Sequence, residues 1–210
     1  RNAASLVIFR KYRNQYQVLM GRRGSKAKFK PGVYVFPGGI VERDDYVVEP
    51  KKKLKTQYTR MMAVGNSHRK ANGLAMCAVR EAFEEVGLTL GEKGQLNAVR
   101  NNTWQHFKQL GLSPNLKLLD YLGRAITPPI QPIRFHARFF SVNFEQMHGN
   151  ILGDGELEDI RWVRLDQSEK LEMMLVQKMI METLAKRLSG LSAPAQKLFF
   201  SWGRINIKRS

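Results

Sequence analysis

Arg80-Glu81-Ala82-Phe83-Glu84-Glu85-Val86-Gly87 places three carboxylates within five consecutive positions. On a helix these carboxylates share one arc of about 100°, and apolar side chains lie on the opposite face. Those apolar residues are Met76, Val79, Phe83 and Val86. Carboxylates this close raise one another's pKa unless a cation lies among them, and hard divalent ions accept oxygen ligands of this kind. The stretch predicts either a Mg²⁺ or Mn²⁺ site or a solvated acidic helix face.

The sequence upstream favours the cation site. Residues 33–36 form a short apolar run that leads into Pro37, Gly38 and Gly39. Glycines allow the backbone to pass close to a phosphate or to offer a carbonyl to a metal. With this bend before the helix and Gly87 after it, the chain resembles the Nudix hydrolases. Their signature is G, five residues, E, seven residues, then R-E-U-x-E-E-x-G-U, where U is bulky and aliphatic, and residues 80–88 match its second half.

The first half of the signature is interrupted. Gly39 and Arg80 are 41 positions apart where the signature needs 14, so 27 extra residues are present. Counted back from Arg80, the first Glu of the signature falls on Asn72, which we expect to cap a helix that begins near Gly73. A long insertion here, about residues 42–72, is typical of the coenzyme A diphosphatase subgroup. Residues 132–140 also resemble the strand that follows the catalytic helix in that subgroup.

The resemblance implies roles for the residues of the acidic stretch. Divalent cations, Mg²⁺ or Mn²⁺, would be held by Glu81, Glu84 and Glu85, with the Gly39 carbonyl completing the shell. Arg80 would orient Glu81 through a charge-assisted pair.

The general base could come from the acidic helix or from a later loop, and the sequence does not decide between them. Glu84 or Glu85 could take the proton of the attacking water, and so could Glu156 or Glu158 from the loop. Glu156 is the preferred loop candidate. The alternative is that the loop is simply polar and leads into a strand at 160–163.

A second pattern concerns the substrate. Arg23, Lys28 and Gly32 occur at the intervals found ahead of the signature in Nudix enzymes that cleave coenzyme A, and Gly38 belongs to the same pattern. Gly21 and Gly24 depart from it. Arg23 could grip a phosphate with a bidentate fork and Lys28 could act as a point charge. Alternatively, the basic residues form a solvated loop; they are Arg22, Arg23, Lys26, Lys28 and Lys30.

Three functions are compatible with these motifs. The first is a metal-dependent diphosphatase that cleaves coenzyme A or acyl-CoA into 3′,5′-ADP and a phosphopantetheine product. The second keeps the chemistry and acts on ADP-ribose, a dinucleotide or another nucleoside diphosphate derivative. The third is a catalytically silent binding module with the same fold.

Composition limits the partners and the cellular location that we expect for the protein. The 210 residues are 43% hydrophobic, and 35 basic against 18 acidic residues give a net charge of +17. Such a charge attracts phosphorylated substrates and nucleic acid alike. No nucleic-acid-binding motif accompanies it, so we expect a small-molecule partner. The single cysteine, Cys77, excludes an internal disulfide, no apolar run reaches membrane-spanning length, and a cytoplasmic location is expected. A homodimer is left open.

The predicted fold is α/β, a Nudix α/β/α sandwich with a mixed central sheet in a single domain over residues 1–210. Strands are expected at 5–9, 16–20, 33–36, 116–125, 133–144 and 160–163. Helices are expected at the acidic stretch, at 102–110 and at 167–188. Trp162 is assigned to the core. The apolar residues of the tail, 193–210, are expected to pack on the body or across a dimer interface; they are Leu198, Phe199, Phe200 and Trp202.

Overall fold

The computed structural model describes residues 1–25, 30–97, 100–131, 133–153, 155–201 and 204–210. The strands are Asn2–Tyr12 (β1), Gln15–Arg23 (β2), Tyr34–Val35 (β3), Gly38–Ile40 (β4), Glu92–Lys93 (β5), Leu112–Ser113 (β6), Asp120–Ile126 (β7), His136–Asn143 (β8), Leu157–Arg164 (β9), Gln196–Ser201 (β10) and Arg204–Arg209 (β11). The α-helices are Gln57–Met61 (α1), His68–Val86 (α2), Asn102–Gln109 (α3) and Leu175–Leu188 (α4). Short 3₁₀ helices are Asp44–Tyr46, Leu116–Leu118, Phe144–Gln146 and Leu165–Lys170.

The main sheet has the order β11-β10-β7-β8-β1-β2-β3, with β4 paired to β1 and β9 paired to β2. β1 runs parallel to β8 and antiparallel to β2 and β4, so the sheet is mixed as predicted. A separate small sheet joins β5 and β6. Because β4 pairs with residues 3–5 of β1, the Gly-Gly bend is fixed against the centre of the sheet.

Alternating side chains of β1 contact the two helical layers. Leu6 and Ile8 are buried in the cluster that contains the apolar residues of α2, whereas Val7 is buried in the cluster that contains Ile180 and Leu184 of α4. Successive side chains of a strand point to opposite faces of its sheet, so α2 and α4 cover opposite faces. This arrangement is the predicted α/β/α sandwich.

Helix α2 begins earlier than the sequence predicts. Its N-cap is Ser67, whose Oγ accepts a hydrogen bond from the Lys70 backbone N–H at 3.3 Å. The prediction that Asn72 is the cap is therefore wrong; Asn72 lies inside the helix, and its Oδ1 accepts the Leu54 N–H at 3.0 Å. The helix ends at Gly87, which adopts a left-handed conformation with φ of 72°. A glycine adopts this conformation without steric cost.

The segment before α2 packs closely on the helix. Tyr46, in the 3₁₀ helix of this segment, lies directly against Gly73 of α2, where a Cβ atom would overlap the tyrosine ring. The fold therefore needs glycine at this helical position, despite its low helix propensity.

The C-terminal helix is shorter than predicted. Residues 165–170 form a 3₁₀ helix, and α4 begins only at Leu175. Between them the Glu172 carbonyl accepts the Tyr34 N–H at 2.9 Å, and Met173 forms a parallel bridge with Tyr34. Pairing with β3 keeps this stretch extended, so the apolar periodicity of 167–188 overestimates the helix.

The other predicted elements are largely found. The helix at 102–110 is present as α3, but the strand expected from residue 116 starts at Asp120, because residues 116–118 form a 3₁₀ turn. Trp162 is half-buried, with the Arg10 guanidinium 4.1 Å from its ring centroid.

The tail packs on the body through the β10–β11 hairpin. β10 pairs with β7, and Leu198 is buried. Trp202 lies outside the described residues. No helix in the described part of the chain is long and apolar enough to cross a membrane. The single-domain assignment and the homodimer stay predictions.

We expect Gly73→Ala to lower the free energy of unfolding by up to about 2 kcal/mol. Overpacking against Tyr46 costs about 1 to 3 kcal/mol, and the higher helix propensity of alanine offsets about 1 kcal/mol of that. Urea unfolding measures the change. In a Tyr46→Ala background the same substitution should stabilise the protein, and destabilisation there would contradict the proposed overlap.

Candidate active site

The Gly-Gly bend lies against both the sheet and the acidic helix. A side chain at Gly38 would collide with Ser5 Oγ and with the Ala4 backbone, and one at Gly39 would collide with the Glu81 carboxylate. Two glycines are therefore needed to bring the bend onto the first carboxylate of the acidic stretch. The sequence predicted glycines that let the backbone approach a phosphate or a metal; the structure shows them against the Glu81 carboxylate and the sheet.

Arg80 is the centre of the hydrogen-bond network beneath the bend. Its side chain is only 2% exposed. Nη1 contacts Glu84 Oε2 at 2.7 Å and Glu81 Oε1 at 2.9 Å, and Nη2 donates to the Ile40 carbonyl at 2.9 Å. Arg80 thus orients Glu81, as predicted, and also Glu84.

Asp45 is the main partner of Arg80, and it is not among the site residues predicted from the sequence. Its two carboxylate oxygens accept hydrogen bonds from Arg80 Nε and Nη2, both at 3.0 Å. Burial alone would lower the pKa of Arg80, but the hydrogen bonds and charge of Asp45 raise it above its ordinary value. A bidentate pair of this kind fixes the guanidinium in both position and orientation.

The sequence carried a signal for Asp45. Counted forward from Gly39, the first acidic residue of the Nudix signature falls after five residues, which is position 45. Counting back from Arg80 led instead to Asn72. Asp45 therefore occupies the position of that acid, and the extra residues follow it.

Asp44 and Asp45 also connect α3 to this network. Asp45 Oδ1 accepts the Trp104 indole N–H at 3.0 Å, and Asp44 Oδ2 accepts the backbone N–H groups of Arg100 and Asn101, both at 2.7 Å. These two backbone bonds lower the pKa of Asp44, although burial opposes them. The start of α3 is thereby held beside α2.

Helix α3 in turn contacts one of the predicted metal ligands. Thr103 donates its hydroxyl hydrogen to Glu84 Oε1, while Arg80 contacts Glu84 Oε2. Both oxygens of Glu84 therefore have protein partners, and Thr103 is a second residue that the sequence analysis did not identify.

Glu81 and Glu85 face the bend in different environments. Burial raises the pKa of Glu81 to about 7; the Arg80 charge counteracts this effect and the Glu84 charge adds to it. Glu85 Oε2 accepts the Gly38 N–H at 2.8 Å. A cation beside these groups would favour the ionised form of Glu81.

A cavity of about 780 Å³ opens over this network. One wall is polar and charged; it contains Arg23, Lys30, Gly38, Gly39, Glu42, Arg80, Glu81, Glu84, Glu85 and Glu156. The rest of the lining, called the apolar wall, is mainly apolar; it includes Ala125, Ile126, Pro128, Phe135, Phe139, Met174, Leu175, Leu198 and Ile205. The cavity thus has room for a ligand much larger than a metal ion and a diphosphate.

The predicted substrate-binding residues have different positions. Arg23 lines the cavity, and its Nε is buried without a hydrogen-bond partner among the described residues. Gly32 donates its N–H to the Arg23 carbonyl at 2.9 Å and adopts φ of 82°, so it shapes the loop. Lys28 lies outside the described residues, whereas Lys30 lines the cavity.

Of the two loop carboxylates, Glu156 lines the cavity. Glu158 instead forms an exposed ion pair with Arg22 at 3.1 Å. The geometry therefore agrees with the preference for Glu156, although its role as a base stays a prediction.

The donor types fit a divalent cation, but the ligands are not preassembled. Within the described ranges, no group of three or more His, Cys, Asp or Glu side chains is arranged to hold a metal ion. The reason is local, because Glu81 and Glu84 face Arg80 and Glu85 faces the Gly38 N–H. The Gly39 carbonyl accepts a 3.6 Å contact from the buried Cys77 thiol. The carboxylates that line the cavity supply the oxygen ligands that Mg²⁺ and Mn²⁺ prefer.

We expect Asp45→Asn to lower the free energy of unfolding by about 3 kcal/mol, because it removes the charge that faces the buried Arg80. Urea unfolding measures the loss. Glu182→Gln, which removes an exposed carboxylate paired with Lys186, is the control and should leave the stability unchanged. Equal stability of Asp45→Asn and the wild type would show that Arg80 does not depend on this partner.

Comparisons with known proteins agree with the geometry. No family model matches the chain. A Caenorhabditis elegans protein named "Putative nudix hydrolase 7" is 28% identical over 174 residues, covering 78% of this chain and 51% of that protein. The chain thus spans about half the length of this curated relative.

Two solved structures share the fold. A NUDIX hydrolase from Alicyclobacillus acidocaldarius is 25% identical, with a TM-score of 0.69 and coverage of 92% of this chain and 97% of that one. The MutT protein from Bacillus halodurans, at 14% identity and a TM-score of 0.53, matches over 99% of this chain and 97% of its own. The latter is a likeness of fold alone. The chain therefore has the Nudix fold, and the Caenorhabditis elegans and Alicyclobacillus acidocaldarius proteins that it resembles are both named as Nudix hydrolases.

Proposed function

We propose that the protein is a metal-dependent hydrolase that cleaves the diphosphate linkage of a nucleoside diphosphate derivative. The observation that carries this proposal is the grouping of Glu81, Glu84 and Glu85 with the Gly-Gly bend on one wall of a cavity of about 780 Å³. Arg23 and Lys30 on the same wall supply positive charge for phosphate groups.

In the proposed reaction the oxygen of water forms a bond to one phosphorus, and the bond from that phosphorus to the bridging oxygen breaks. The bridging oxygen leaves on the other phosphate, and a carboxylate accepts the proton of the water. Bound Mg²⁺ or Mn²⁺ would offset the developing negative charge and lower the pKa of the attacking water. Glu81, Glu84, Glu85 and the Gly39 carbonyl are the proposed ligands.

The chain's own residues would bind and orient the substrate. Arg80 orients Glu81 and Glu84, and the guanidinium of Arg23, which lines the cavity, would bind a phosphate. Glu156 is our preferred base, because it lines the cavity without belonging to the proposed ligand set. Glu84 and Glu85 remain the alternatives.

We further propose coenzyme A or an acyl-CoA as the substrate, with 3′,5′-ADP and a phosphopantetheine product. The apolar wall favours a substrate with an extended apolar group on one side of the diphosphate. Leu198 and Ile205 of the C-terminal hairpin contribute to this wall together with Phe135. ADP-ribose and dinucleotides lack such a group and are the second candidates.

A substrate panel tests the proposal. The protein is incubated with Mg²⁺ or Mn²⁺ and with coenzyme A, acyl-CoA, ADP-ribose, NADH or diadenosine polyphosphates, and the products are resolved by chromatography. Release of 3′,5′-ADP from the CoA compounds supports the full proposal, and preference for ADP-ribose or a dinucleotide supports the chemistry alone. The absence of turnover across the panel would support a silent binding module.

We expect Glu85→Gln and Glu84→Gln each to lower kcat by at least about 100-fold, because each removes a proposed metal ligand. Steady-state turnover measures the loss, and circular dichroism checks that the fold survives. Glu182→Gln, on the exposed surface of α4, is the matched control and should retain wild-type turnover. Full activity in both variants would exclude these ligands.

We expect Thr103→Val to weaken Mn²⁺ binding about 10- to 100-fold, because loss of a hydrogen bond to a ligand frees its orientation. The hydroxyl of Thr103 donates to Glu84, and Thr103→Ser keeps that donor. Isothermal titration calorimetry with Mn²⁺ measures both affinities. Equal affinities of the valine and serine variants would show that Thr103 does not position Glu84.

A further inference from the structure

Basic side chains form a continuous row across the edge of the main sheet. Lys208 of β11 lies opposite Lys197 of β10, Lys197 lies opposite Arg124 of β7, and Arg124 lies opposite Arg138 of β8. Residues directly opposite one another in a sheet point to the same face. We call these four residues the cation ladder.

The cation ladder lies on the face of the sheet away from the catalytic cavity. Leu198, Ala125 and Ala137, which adjoin ladder residues along their strands, line the cavity. Because successive side chains alternate between the two faces, the ladder faces the other way. A ligand of the ladder would therefore bind on the other side of the sheet from the cavity-lining residues of β7, β8 and β10.

No carboxylate in the described part of the chain forms an ion pair with the ladder. None of its four residues takes part in an ion pair within the described ranges, which contain ten such pairs. The buried Arg138 donates to the carbonyls of Met62 and His136 and to the Asn2 side chain. Like charges placed opposite one another in a sheet are destabilising. A bound anion would reduce the repulsion between these cations and so stabilise the fold.

The electrostatics of neighbouring groups agree with an unbalanced positive field. Burial lowers the pKa of His136 to about 3, and the charges of Arg138, Arg124 and Lys197 contribute in the same direction. The pKa of Lys197 is also lowered, by burial and by the charges of Arg124 and Lys208.

The outer end of the ladder is both accessible and ordered by an aromatic ring. Lys208 is exposed and Lys197 is half-buried. Their Nζ atoms lie 5.8 and 4.4 Å from the centroid of the Phe199 ring, which is within the range of cation–π attraction. The ring therefore holds both ammonium groups on one side of the hairpin.

We infer that the cation ladder binds a chain of phosphates. Strands in a sheet are about 4.8 Å apart, so Lys208, Lys197 and Arg124 extend over about 10 Å. A single phosphate could contact only two neighbouring cations, whereas successive phosphates could follow all three. Inorganic polyphosphate and single-stranded RNA both present this chemistry. Arg138, which is buried, contributes charge rather than contact.

The test compares Lys197→Gln/Lys208→Gln with Lys11→Gln/Lys178→Gln. The control removes the same charge from exposed lysines outside the ladder that form no ion pair in the described part of the chain. Binding of fluorescently labelled inorganic polyphosphate and of a labelled single-stranded RNA is measured by anisotropy, in EDTA to prevent metal-dependent turnover. We expect the ladder variant to bind at least one of the probes at least 10-fold more weakly than the control does.

The salt dependence adds a second readout. Loss of two phosphate contacts should reduce the slope of log K against log salt by about 1.4 for a single strand. If the ladder variant loses affinity for polyphosphate alone, the ligand of the ladder is polyphosphate. If it loses affinity for RNA alone, the ligand is RNA. Equal affinity of both variants for both probes would overturn the inference, because binding would then follow net charge alone. Diphosphate hydrolysis by the ladder variant should match that of the wild type.

Discussion

The buried charge of Arg80 constrains the architecture of the site. A guanidinium removed from water must be matched by charge and by hydrogen-bond acceptors, or the fold loses several kcal/mol. Here the match comes from Ile40 of the bend, from Asp45 of the segment after it, and from Glu81 and Glu84 of α2 itself. Satisfying one side chain therefore brings together the Gly-Gly bend, the segment that follows it and the acidic face of α2.

The segment before α2 and helix α3 both form hydrogen bonds with the residues around Arg80. Asp44 and Asp45 hold the start of α3 through backbone and indole N–H groups, and Thr103 of α3 contacts Glu84. Residues that support a proposed ligand fix its position, because a carboxylate on a free side chain would lose orientation. The segment that follows the Gly-Gly bend is thus a part of the site itself.

The two faces of the sheet differ in charge. Near the β10–β11 edge the strand residues that line the cavity are apolar, among them Ala125 and Leu198, whereas the opposite face carries Lys197, Lys208 and Arg124, which form no ion pair in the described part of the chain. The net charge of +17 does not itself distinguish these regions. Strand alternation separates them, because neighbouring residues of one strand serve opposite faces.

The sequence by itself determined the local elements. Periodicity and the glycines identified α2 and the bend, and apolar runs predicted the strands of the sandwich. It misplaced the start of α2 and the start of α4, since Ser67 and the pairing of residues 172–173 with β3 decide those boundaries. Only the tertiary structure decided the partner of Arg80, because Asp45 lies 35 positions away in the chain. Local propensity cannot identify a partner that meets its residue only after the chain has folded.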